Sequence, residues 1–165
     1  MSHSLISSAQ EKTLRITPVT DERPGLILHD FQVMLDFVAE ESPALTKTHL
    51  LPSKTVLSLN GRLSRRIEHG FTRPKQKSFP HIDGLFLLLR ASGLTRVDTT
   101  GRKPVLVVDP DAVNSWRDLN STERYFTLLE SWLLRGDPEI VSERAGAFLF
   151  NNPLLMWSEF FRQFE

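Results

Sequence analysis

Residues 78–109 read SFPHIDGLFLLLRASGLTRVDTTGRKPVLVVD. Pro80 suits the first turn of a helix, where its missing N–H leaves nothing unsatisfied that was not unsatisfied already. Ile82, Leu85, Phe86, Leu88 and Leu89 then wrap nearly all round that helix, a pattern that predicts burial on most sides. Gly93 is placed to stop it. Residues 94–97 and 104–108 are strand-like runs, and Thr99-Thr100-Gly101-Arg102 between them is the turn. A buried helix feeding a two-stranded ribbon is the central unit of a winged helix. The expected fold is therefore mainly α: a winged helix-turn-helix core with a two-stranded β-ribbon and a C-terminal helical extension.

Working backwards from that unit, Val56, Leu59 or Asn60, Leu63 and Ile67 supply the buried stripe of a preceding helix. Ser53 is its expected N-cap and Gly70 its expected stop, with the Asn60-Gly61 pair a weak point where the helix would break. Residues 44–53 are a connector with room for a short strand. Before it, Ile27, Phe31, Met34 or Leu35, and Val38 share a helical face that ends at Pro43, since the residue before a proline avoids helical geometry. Residues 1–25 are polar, hold Pro18 and Pro24, and read as an arm.

Working forwards, Asp109-Pro110-Asp111 leads into a short helix with Val113 and Trp116. Asn120 and Glu123 form a capping box for a longer helix striped by Tyr125, Leu128 or Leu129, and Trp132, with Gly136 as its stop. Further helices are expected over 138–150 and from 153 onward, the last carrying Trp157, Phe160, Phe161 and Phe164. No breaker follows that last stretch, as expected of a piece of a longer protein. The organisation is thus an arm (1–25), a winged-helix domain (26–119) and a helical extension packed on it (120–165).

Charge is placed unevenly. The 165-residue chain carries 20 basic and 20 acidic residues and no cysteine. Residues 42–106 hold twelve bases against Glu68, Asp83 and Asp98, a net of +9, between two acidic ends. Arg62, Arg65, Arg66 and His69 fall three or four apart, which puts them on the exposed face of the second helix. Arg73, Lys75 and Lys77 follow in a loop, and Arg102 and Lys103 lie near the ribbon tip. These eight cationic residues, His69 aside, are the expected contacts to a DNA backbone. The helix over 80–92 offers only His81, Asp83 and Arg90 as polar groups, so base readout is not expected from it. The other reading is a protein partner or homodimer, using the aromatic face of Trp157, Phe160, Phe161 and Phe164.

Catalytic signatures are missing from the sequence. There is no HExxH, GxSxG, SxxK or glycine-rich phosphate loop, and the five histidines are scattered. Asp109 and Asp111 are read as acids at a helix N-terminus, where negative charge is favourable. The expectation is a non-enzymatic protein with no cofactor and no metal. The lack of cysteine, of a secretory leader and of any long apolar run suits a cytoplasmic location without membrane contact.

Two fragments carry a resemblance. Leu45-Thr46-Lys47-Thr48-His49-Leu50-Leu51-Pro52, followed by GLFLLLRASGLTRV at 84–97, resembles the bacterial Ri-plasmid open-reading-frame-three-like proteins. Trp116-Arg117-Asp118-Leu119 with ERYFTLLESWL at 123–133 is similar to winged helices attached to bacterial helicase-type proteins. The likeness spans about residues 28–135. It implies a bacterial, mobile-element or regulatory setting, and it supplies no catalytic residues.

Overall fold

The structure is a computed structural model that describes residues 18–68 and 70–142. Among these, five α-helices and one two-stranded antiparallel sheet make a mainly helical fold. Helix α1 spans Ile27–Glu41 and buries Leu28, Phe31, Met34, Leu35, Phe37 and Val38 along one stripe. It ends at Ser42, whose left-handed φ of 41° lets its N–H return to the Val38 carbonyl before Pro43.

The connector then touches the sheet. Ala44 bridges Val105, the Leu45 N–H donates to the Pro104 carbonyl at 2.7 Å, and the Leu106 N–H donates to Pro43 at 3.0 Å. The short strand for which residues 44–53 had room is reduced to this single bridge beside the two-stranded sheet.

Helix α2 spans Ser53–Arg62, and here two expectations are corrected. Pro52, not Ser53, occupies the N-cap position, and Ser53 is the first helical residue. The helix also stops at Leu63, far short of Gly70. The cause is the Asn60 side chain, only 4% exposed. Its amide donates to the Ile67 carbonyl at 2.9 Å and accepts the Ile67 N–H at 3.0 Å. One amide thereby satisfies both backbone groups of a returning loop, and Gly61 beside it gives the helix little reason to continue.

A single 3₁₀ turn, Gln76–Ser78, precedes helix α3, Pro80–Ala91. Proline opens α3, and Gly93 at φ 80° turns the chain into strand β1, Thr95–Asp98. That strand pairs with β2, Val105–Val108, in the register Thr95 to Val108 through Asp98 to Val105. Asp109 then caps helix α4, Pro110–Asp118, by accepting the Ala112 N–H at 3.1 Å. This is the structural role the sequence assigned to it.

Helix α5, Ser121–Arg135, opens on the expected capping box of Asn120 and Glu123 and ends at Gly136. The helix expected from 138 is corrected in its described part. Pro138–Val141 is a 3₁₀ turn, and Ser142 follows with φ 55°.

Helix α3 is the centre of the core. It packs against α1, α2, α5, β1 and both 3₁₀ turns, and its Ile82, Phe86 and Leu89 are fully buried. Phe31 of α1 meets Trp116 of α4 with ring centroids 5.2 Å apart, and the indole N–H donates to Gln32 at 3.2 Å. One continuous set of buried side chains runs from Leu28 to Val141, so α5 shares the core of the helices before it. No helix among the described residues is long and apolar enough to cross a membrane.

Candidate nucleic-acid interface

The basic residues separate into two groups at opposite ends of α2, about 15 Å apart for a helix of this length. At the C-terminal end, Arg62 reaches Glu40 at 3.6 Å and Glu41 at 3.8 Å, with its guanidinium 5.0 Å above the Phe37 ring. Arg66 pairs with Glu68 at 3.1 Å. Arg65 lies on the wall of an apolar groove near Asp30 and His81. The expected single helical face of Arg62, Arg65 and Arg66 is therefore corrected: only Arg62 is helical, because the Asn60 clasp ends α2 before the other two. His69 of the same expected face lies outside the described residues.

The N-terminal end of α2 is different. A cleft of about 420 Å³ there is lined by Thr46, Thr48 and Ser53 together with Arg73, Lys75 and Lys77. No carboxylate lines it. Gln76 fixes the basic loop to the body. Its side chain, 2% exposed, accepts the Leu51 N–H at 2.8 Å and donates to Asp83 at 2.7 Å. Lys77 also donates to the Ser142 carbonyl at 3.3 Å. The first turn of α2 opens on the cleft without any side-chain cap, leaving its N–H dipoles directed that way.

Arg102 and Lys103 are exposed at the hairpin turn. The Ala44–Val105 bridge runs Leu45 alongside Pro104, so the 46–50 turn heads toward the hairpin end that bears them. Arg73, Lys75, Arg102 and Lys103 make no ion pair within the described residues.

Helix α3 presents nothing for base readout. It packs against α5, Asp83 is held by Gln76, and Arg90 is half-buried 5.9 Å from the Phe86 ring centroid. The ring nitrogens of His81 are buried without a hydrogen-bond partner. Burial lowers the His81 pKa from its ordinary value; Asp30 opposes that shift and Arg65 adds to it. The unfolded chain therefore binds a proton that the folded chain resists, and stability is lost as pH falls through the ordinary imidazole range. Urea midpoints at pH 7.5 and 5.5 are expected to fall less in His81→Gln than in the parent chain.

The sequence reading missed the apolar groove, of about 810 Å³, where α3, the start of α1 and α5 meet. Its signal was present in the apolar residues that wrap nearly all round α3. Trp157, Phe160, Phe161 and Phe164 lie outside the described residues. Among the described residues no group of three His, Asp or Glu side chains is placed to hold a metal ion. No family model, curated protein or solved structure matches the chain.

Proposed function

We propose that α1, α2, α3 and the hairpin act as a winged helix-turn-helix module that contacts the phosphate backbone of duplex DNA without reading bases. The observation that carries this reading is the carboxylate-free basic cleft at the start of α2. Phosphates carry negative charge at regular spacing, and cations that are not already neutralised by neighbouring acids gain most from meeting them. Arg73 and Lys75 meet that condition, and the hairpin's Arg102 and Lys103 extend it in the manner of a wing. Uncapped helical N–H groups at Ser53 add donors for a phosphate oxygen. Arg62 and Arg66, engaged with Glu40, Glu41 and Glu68, contribute less. A bacterial mobile-element or regulatory setting accords with this role.

The test is anisotropy of a labelled duplex with two variants. Removing Arg73, Lys75, Arg102 and Lys103 together by alanine substitution is expected to weaken binding at least about tenfold at moderate salt. Arg62→Ala/Arg66→Ala is expected to change it much less. Equal losses in the two variants, or no binding by the parent chain at low salt, would overturn the proposal.

A further inference from the structure

The apolar groove beside α3 lies at a place where the fold leaves large side chains half covered. Leu85 and Leu88 form its floor, Tyr125 and Leu129 one wall, and Leu26 and Trp132 its rims. Trp132 is 50% and Leu26 47% exposed. We infer that the occupant of this groove is the chain's own aromatic segment, residues 153–165, seated through Trp157, Phe161 and Phe164.

Two features favour this occupant over an outside partner. The first is pattern. Trp157, Phe160, Phe161 and Phe164 follow helical spacing, while Ser158, Glu159, Arg162 and Gln163 fall on the opposite side of the same period. A stripe of that kind needs an apolar seat, and each aromatic side chain takes about 150–250 Å² out of water when it finds one.

The second is reach. The described chain leaves from Ser142, whose carbonyl meets Lys77 and whose hydroxyl donates to the Thr48 carbonyl. Lys77 lies three residues before Pro80, which lines the groove. Fourteen residues lie between Ser142 and Trp157, and at about 3.3 Å per extended residue they can span far more than that gap.

The chain has no cysteine, so paired cysteines give a direct test in the full protein. A Cβ at Gly84, on the groove wall, would meet nothing within 4 Å, and Ser158→Cys leaves all four aromatics in place. The pair Gly84→Cys/Ser158→Cys is expected to form an intramolecular disulfide about tenfold faster than Ser58→Cys/Ser158→Cys, whose first position is exposed on α2. Adding Trp157→Asp is expected to abolish the difference. Leu129→Cys/Ser158→Cys repeats the measurement from the other wall should Gly84→Cys fail to fold. Equal rates for groove and control pairs would overturn the inference. So would disulfide-linked dimers whose rate rises with protein concentration, which would assign the groove to a second copy.

Discussion

Raising salt from 50 to 200 mM is expected to weaken duplex binding by about 10²-fold to 10³-fold. Four to five phosphate contacts give a slope of log affinity on log salt of about −4, because each neutralised phosphate releases a condensed counterion. The expected contacts are Arg73, Lys75, Arg102 and Lys103, with a further share from the α2 N-terminus. Each single alanine substitution among the four should make the slope shallower by about 1, and the quadruple variant should leave it close to flat. Arg62→Ala should leave it nearly unchanged, since its guanidinium already sits between Glu40 and Glu41. The measurement is a titration at four or five salt concentrations for each variant. A flat slope in the parent chain would mean that binding, if present, has an apolar origin and does not involve the basic cleft.

Gln76→Leu is expected to destabilise the fold by about 2–4 kcal/mol. The substitution roughly keeps the side-chain size, yet it strands the Leu51 N–H inside the protein and removes the donor that meets Asp83. An orphaned buried backbone donor and a lost bond to a carboxylate each cost about 1–3 kcal/mol, with some return from the added apolar surface. Gln76→Glu makes the sharper comparison. It keeps an acceptor for Leu51 but sets a carboxylate against Asp83 where an amide now sits 2.7 Å away. Like charges at that distance raise the pKa of the pair. Stability of Gln76→Glu should therefore recover as pH falls toward 4 and one proton comes to be shared, while Gln76→Leu shows no such recovery. Chemical denaturation of both variants at pH 7 and pH 4.5 distinguishes them. Because Gln76 is flanked by Lys75 and Lys77, the Leu variant should also weaken binding at the cleft without removing any charge.

Local signals carried most of the architecture. The α1 stripe, the proline start and glycine stop of α3, the hairpin and the capping box of α5 each rest on residues within one element, and each lies where its pattern puts it. The α2 boundary was not legible in the same way. Leu63 is buried and Ile67 half-buried, so the apolar period runs on past the helix end. What stops the helix is a side chain bonding seven residues ahead, and periodicity does not register that contact. Charge was readable as a sum but not as a surface. The +9 of residues 42–106 became two groups once the acids of α1, from the previous segment of chain, came round to Arg62. The groove was legible only in part, as the apolar residues that wrap nearly all round α3. The pattern shows that α3 needs apolar cover on most sides, but not that its Leu85 and Leu88 meet Tyr125, Leu129 and Trp132 of α5 around an open space.

Ser142 ties the end of the described chain to Lys77 and Thr48, and both of those residues line the basic cleft. An anion entering the cleft competes with the Ser142 carbonyl for the Lys77 ammonium. Whatever loosens that carbonyl leaves Ser142 held by its hydroxyl bond to Thr48. The two ends of this tether are then thermodynamically coupled, and the coupling works both ways with one magnitude. Holding the Ser142 carbonyl on Lys77 and placing an anion on that ammonium oppose each other by the same factor. The Lys77–Ser142 contact thus joins the basic cleft to the end of the described chain.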